Sequence, residues 1–302
     1  MTNRNEYNKK EKAKLKSIIL KRSWFLFALG LLLYNWWSGD ILHFYGGYMH
    51  FAAFLLFLPK RYYLWVAISA IWVFHILLFI IPIDTGWDFT TFKYNDFWTP
   101  LGFLRNTFYN GWNSIFPWLS YFLVGMWLGR LNWTNKLTRR NIFIFGLLIF
   151  IIFQILRILV KLHFFNSFWS DYIMAEYFPP YLPFIMITMG FAFMVIPFCM
   201  YIGEKFSTNS LVLALQKTGQ MTLSHYVIHL TIGMIIFGTL TDKHYTGLLE
   251  DEKPTLPIYI LGYSILFYTF SILLSVLWSK KFKHGPLETI MRKISNWHKP
   301  SR

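Results

Sequence analysis

A small set of ionisable side chains interrupts the long apolar runs of this sequence. Asp40 and His43 stand at the first break between runs. His50 and His75 lie inside the second and third runs, Arg157 inside the fifth, and His225 and His229 inside the seventh. Ionisable groups in hydrocarbon are costly, a central arginine by roughly 3 kcal/mol on insertion scales, so each marks a candidate site. Gln154, Arg157 and Lys161 are spaced three and then four, which places them on one helix face. Two readings stay open for Arg157: a structural pair with Asp40, or a contact to an anionic ligand. Lys161, nearer the end of its run, is expected to snorkel.

His225 and His229 are spaced four apart, with Thr222 a turn earlier on the same side. That spacing fits two zinc ligands, but the HExxH pattern and an adjacent cysteine or carboxylate are absent. Hydrogen bonding between helices and proton transfer near neutral pH are the other readings. The single cysteine, Cys199, excludes an internal disulfide and a cysteine metal cluster. No P-loop, dinucleotide glycine fingerprint or GxSxG elbow occurs, and no motif requires a metal or organic cofactor.

The elements that must hold these residues are membrane helices. Of 302 residues 55% are hydrophobic and 21% aromatic. Only 14% are charged, against about a quarter in soluble domains. Eight apolar runs cover roughly 22–39, 41–58, 62–82, 115–131, 141–163, 177–202, 220–240 and 256–279. Each approaches the length that crosses about 30 Å of hydrocarbon. The expected fold is an all-α polytopic bundle of about eight spans over 22–279, between basic tails at 1–21 and 280–302. The first two runs, separated by Gly39-Asp40, read as a helical hairpin, or as one broken segment. Pro197 is expected to kink or break the sixth span. Gly125 and Gly129 form a small-xxx-small pattern that suits close helix packing.

The net charge of +15 does not point to nucleic acid, because the cations lie in short clusters between runs and in the tails. With both ends in the cytoplasm, 23 Lys and Arg fall inside and 5 outside, as the positive-inside rule expects. The outer segment 83–114 mixes Asp84, Asp88 and Asp96 with aromatic residues and reads as an interfacial lid or belt. The acidic run Glu250-Asp251-Glu252 reads as solvated surface. The polar, lysine-rich start is unlike a cleavable signal peptide. Under this topology Asp40, His43, His50, His75 and Arg157 all fall in the outer half, which suggests a polar cavity open to the outside.

Five segments together resemble the bacterial YeiB-like membrane family of unknown function and its heparan-alpha-glucosaminide N-acetyltransferase-like relatives. They are GDILHFYG (39–46), NGWNSIFPWLSYFLVGMWLGRL (110–131), YFPPYLPFIMITMGFA (177–192), GQMTLSHYVIHL (219–230) and FKHGPLETIMRK (282–293). Two positions depart from the family pattern, His225 replacing an Asn and Gln220 an Arg. Typical members open with an Asp-x-x-Arg-Gly span that this sequence lacks, and in the relatives the catalytic histidine lies in that part. A partner chain supplying those spans is one expectation.

The resemblance implies a membrane acyltransferase of the bacterial plasma membrane, taking an acyl group from a donor such as acyl-coenzyme A to an envelope glycan or lipid. On that reading His225 or His229 is the general base. Arg157, with Asp40, His43 and His75, would bind substrate. The alternatives are a carrier of a small anionic or amphiphilic molecule and a structural subunit of a membrane complex.

Overall fold

The computed structural model describes residues 7–241 and 255–295. The Glu250–Glu252 run lies outside the described residues. Regular structure is almost wholly helical: α1 (Lys9–Tyr34), α2 (Leu42–Leu55), α3 (Lys60–Ile80), α4 (Pro100–Arg105), α5 (Ile115–Leu128), α6 (Lys136–Lys161), α7 (Ser167–Met174), α8 (Leu182–Lys205), α9 (Ser210–Gly219), α10 (Thr222–Ile228), α11 (Met234–Thr241), α12 (Pro257–Trp278) and α13 (Pro286–Ile294). Two π-helical turns, Asn106–Asn110 and His229–Gly233, extend α4 and join α10 to α11. A two-residue β-ribbon pairs Trp87–Asp88 with Lys93–Tyr94.

Among the described residues, six helices are long and apolar enough to cross a membrane: α1, α3, α6, α8, the α10–α11 unit and α12. The chain is a polytopic all-α protein. Of the about eight expected spans, six qualify by helix length and composition alone. The other two, α2 and α5, have 14 residues each, and at about 1.5 Å per residue they reach only about 21 Å. Their apolar runs extend into the turns at 56–58 and 129–131, which are not helical. The basic start, expected as a tail to residue 21, is helical from Lys9. Asn8 and Glu11 cap it reciprocally, each side chain taking the other's backbone N–H.

The chain divides into two compact units. Unit 1 contains Leu55–Thr85 and Phe103–Phe206. In it α3 packs on α5 and α6 on α8. The α6–α8 contact is backbone to backbone: a Cβ on Gly146 would stand 2.6 Å from Gly190 O. Gly125, expected at such a contact, has nothing within 4 Å of an added Cβ. Pro197 loses one backbone bond, yet α8 continues through it, so the expected break is absent. One end of the unit gathers the 56–61 turn, the 129–135 loop and the end of α8. Arg130 donates to Leu56 O and, at 2.8 Å, to Leu58 O, while Arg139 grips Glu204. At the other end Tyr109 donates to Ile81 O at 2.5 Å, and Asn110 to Ile83 O and Thr85 O. The cationic loops and the aromatic loops thus segregate to opposite ends.

Unit 2 contains Tyr7–Phe54, Gly86–Gly102 and Ser207–Arg302. Here α1 and α2 form the expected hairpin. Gly30 admits it, since a Cβ there would lie 2.1 Å from His43 N. The connection dips back along α1 and buries Asp40 and His43 completely. Tyr34 stacks on Phe97 at 3.7 Å, so the 86–102 segment covers the end of α1. Its aromatics divide: Trp87, Tyr94 and Phe97 are buried, and Phe89, Phe92 and Trp98 are exposed. Asp88 accepts from the Thr90 and Thr91 hydroxyls, which hold its carboxyl below the usual range. Midway along α1, Arg22 Nε donates to Ser295 Oγ at 3.4 Å, beside α13.

Candidate functional site

The richest polar assembly lies inside unit 2, where α10 meets α12, α13 and the α1–α2 turn. Ser275 on α12 is fully buried, and its Oγ lies 2.8 Å from Ser271 O, one helical turn earlier. A carbonyl only accepts, so the single Ser275 hydroxyl proton is committed to it. Ser275 Oγ is therefore the acceptor for His225 Nε2, 2.7 Å away. That contact fixes the tautomer: Nε2 carries the proton and Nδ1 is a bare acceptor. Nδ1 is buried and has no hydrogen-bond partner, as is also true of Ser271 Oγ.

A pocket of about 620 Å³ opens beside this pair. His225, His229, Tyr226 and Ser271 contribute to its wall, with Tyr263 and Phe267 among the aromatics that complete it. His229 is exposed and sits edge-on to Phe267, centroids 5.1 Å apart. The π-helical turn begins at His229 and interrupts the ordinary backbone ladder. Side chains engage two carbonyls of that turn: Trp36 Nε1 donates to Leu230 O at 2.8 Å and Tyr263 to Gly233 O at 2.6 Å. The bulge is thus supported on both sides.

Two further contacts lock α10. Ser224 donates its N–H (3.1 Å) and its hydroxyl (2.5 Å) to the buried Glu288 carboxylate of α13. Tyr226 donates to Asp40 Oδ1 at 2.9 Å, and its oxygen accepts from Ile41 N–H at 3.1 Å. Asp40 Oδ2 takes the N–H groups of Leu42 and His43, capping the start of α2. Three of the segments on which the sequence resemblance rests, 39–46, 219–230 and 282–293, meet at these contacts.

A family model described as a protein of unknown function, DUF418, matches residues 125–298, more than half of the chain. The chain belongs to the DUF418 family. No curated protein and no solved structure matches it. The matched part holds His225, His229, Ser275 and Glu288, whereas Asp40 and His43 precede it.

Placed in the DUF418 chain, the residues singled out by sequence separate into groups. His225 and His229 share one pocket. Asp40 anchors Tyr226, which lines that pocket, and His43 Nδ1 lies 3.5 Å from Asp40 Oδ2. Neither His43 ring nitrogen has a hydrogen-bond partner. His50 sits apart, taken up by Ser23 and Gly46 O. His75 and Arg157 belong to unit 1. His75 Nδ1 donates to Ile71 O at 2.8 Å, and Nε2 accepts from the Tyr172 hydroxyl at 3.0 Å. Arg157 Nη2 donates to Ala175 O at 3.1 Å, and its buried Nε has no partner.

Arg157 is one turn from the end of α6, because the helix stops at Lys161. Its expected pairing with Asp40 gives way to separate partners in separate units. Among the described residues no three His, Cys, Asp or Glu side chains could jointly hold a metal. Sequence reasoning missed Ser271 and Ser275, which share their largely apolar run with Ser264 and Thr269 and carry no signal that sets them apart. It quoted Glu288 within the Gly-Pro-Leu-Glu motif and gave it no role.

Proposed function

We propose that this protein is a membrane-embedded acyltransferase of the bacterial plasma membrane, with both ends cytoplasmic. It moves an acyl group from acyl-coenzyme A to a hydroxyl of an envelope glycan or lipid. The observation that carries this reading is His225, held at Nε2 by Ser275 with Nδ1 unprotonated and unpartnered, on the wall of a pocket that also includes His229. A positioned base with its far nitrogen anchored is what general-base activation of a hydroxyl requires.

In the proposed step the acceptor enters the pocket and displaces the side chains that cover His225 Nδ1, and its hydroxyl gives that nitrogen its proton as its oxygen attacks the thioester carbonyl carbon. The carbon–sulfur bond breaks, the new ester remains on the acceptor, and the imidazolium returns the proton to the leaving thiolate. His229 stands by as a second base along the same wall. Arg157, with Nε unpartnered, stays a candidate contact for an anionic group within unit 1. Asp40 is assigned to positioning, because its oxygens already hold Tyr226 and the start of α2. His75 is assigned a structural part for the same reason, and His43 stays a candidate contact.

The test is transfer or hydrolysis of labelled acetyl-coenzyme A by the full chain in lipid nanodiscs, comparing wild type with His225→Ala, His229→Ala and Arg157→Gln. Label transfer that is lost in His225→Ala while the fold persists supports the reading. Neither binding nor turnover by a well-folded sample overturns it. Movement of a small anion across proteoliposomes without any donor would favour the carrier reading, for which the bulged α10–α11 helix beside the pocket is the relevant feature.

A further inference from the structure

Unit 1 has a second cavity, of about 630 Å³, where α6 begins and α8 ends. Lys136, Arg139, Arg140 and Lys205 surround it, with Glu204 as its one carboxylate. Arg139 is fully spent: Nε donates to Trp133 O, and the two Nη groups meet the Glu204 oxygens at 2.5 and 2.6 Å. That pair is internally neutral. Lys136, Arg140 and Lys205 are left as three positive charges around one cleft. Lys205 Nζ sits over the rings of Tyr201 and Phe206, 5.5 and 5.4 Å from their centroids, which holds a cation in place without neutralising it.

The opposite wall is apolar: Phe143, Pro197, Phe198 and Tyr201. These residues lie on α6 and α8, two helices able to cross a membrane, and Phe143, Phe198 and Tyr201 are exposed. The cations occupy the helix ends, and the apolar wall continues along the sides that lipid would cover. Like charges gathered this closely call for an anion. Cationic pockets at the ends of membrane helices suit lipid headgroups.

We propose that this cleft binds an anionic phospholipid with an exposed phosphomonoester, the phosphate among Lys136, Arg140 and Lys205 and an acyl chain along Phe143 and Phe198. A phosphomonoester carries about −1.5 to −2 charge near neutral pH, matching the uncompensated cations better than a diester does. A soluble phosphate would leave the aromatic wall unused. The site is separate from the histidine pocket and stands or falls independently of acyl transfer.

The experiment is native mass spectrometry of the full chain released from phosphatidylcholine nanodiscs doped with phosphatidic acid or, separately, with phosphatidylserine. Phosphatidic acid should stay bound after phosphatidylserine is stripped. The variant Lys136→Gln/Arg140→Gln/Lys205→Gln should weaken retention by roughly a hundredfold, about fivefold per cation removed. Lys60→Gln/Arg61→Gln, which removes charge at the same end outside the cleft, should leave retention unchanged. Equal retention of both lipids, or equal loss in both variants, would overturn the site in favour of general surface attraction. Displacement by inorganic phosphate as readily as by phosphatidic acid would overturn the lipid assignment. Should thermal melting show the triple variant unfolded, Arg140→Gln and Phe198→Ala decide: both should lower retention, and no loss in either rejects the proposal.

Discussion

The two units treat buried polarity differently. In unit 1 many polar side chains are spent on backbone carbonyls at helix ends: Arg130 on Leu58, Tyr109 on Ile81, Asn110 on Ile83, Arg157 on Ala175. In unit 2 those around α10 meet one another between elements, as Tyr226 with Asp40, Ser224 with Glu288 and His225 with Ser275. Both units leave buried atoms unpartnered, but of different kinds. Those of unit 1 belong to Asn106, Thr107, Trp118, Ser120 and Arg157; those of unit 2 are Ser271 Oγ and the ring nitrogens of His43 and His225. Imidazole nitrogens exchange protons near neutral pH, and amides, hydroxyls and indoles do not. On the acyl-transfer proposal, the same cost of burial serves as frame in one unit and supplies a base in the other.

Histidines in the two units give the largest test of that contrast. His225→Ala should lower acyl transfer by about 10²–10⁴-fold, the usual contribution of a general base, far more than the loss of its Ser275 bond, about 1 kcal/mol, takes from stability. His75→Ala should do the reverse. It leaves the Tyr172 hydroxyl without its acceptor, costing about 1 kcal/mol of stability, and transfer per folded molecule should persist. Parallel rate and melting measurements on both variants decide it. Transfer lost in His75→Ala at unchanged stability would erase the distinction.

The next effect is on folding. Glu288→Ala removes the acceptor of both Ser224 donors inside unit 2, and hydrogen bonds to a buried charge contribute about 1.5–3 kcal/mol each. A loss of roughly 3–6 kcal/mol should appear in thermal or denaturant unfolding in detergent, with Glu288→Gln losing less. In unit 1, Glu204→Ala breaks a bidentate but exposed pair and should barely move the melting curve, because solvent screens it. Similar shifts for the two would show that burial is not what separates the ion networks.

Much of the frame is legible in the sequence. The six long helices follow from apolar runs that hydrocarbon tolerates, and the hairpin from Gly39-Asp40. The short lengths of α2 and α5 are not legible: hydropathy does not see where a helix stops, so the apolar runs take in turn residues 56–58 and 129–131. His225 and His229 were placed together by their spacing of four, which a helix preserves. Ser275 and Glu288 were not legible as parts of the same site. Their meeting with α10 depends on how α12 and α13 pack, and neither lies at a fixed spacing from His225. Arg157 and Asp40 were paired by estimated depth alone, and depth does not determine which helices are neighbours.

Glycines sharpen the comparison at lower energy. Gly30→Ala would force a Cβ to within 2.1 Å of His43 N and 2.8 Å of Asp40 Oδ2. Gly146→Ala would place one 2.6 Å from Gly190 O. Each should cost roughly 1–3 kcal/mol, as overpacked contacts do, but with different consequences. The first should disturb the Asp40–Tyr226 contact and hence the pocket, lowering transfer as well as stability. The second should lower stability alone. Equal loss of transfer per folded molecule in both would mean that the pocket depends on unit 1 as much as on its own helices.

Gly125→Ala should have the smallest effect and the opposite sign. The small-xxx-small spacing of Gly125 and Gly129 suggests a packing face, yet nothing approaches within 4 Å of a Cβ at Gly125. With no clash, the added methyl only reduces the freedom of the unfolded backbone and improves helix propensity, for a gain of up to about 1 kcal/mol. Melting of the variant in detergent should be unchanged or slightly raised. A drop comparable to that of Gly146→Ala would show that another surface, such as a second copy of the chain, packs against α5 at this glycine. The detergent-solubilised mass, measured for wild type and variant, would then distinguish a lost association from a strained helix.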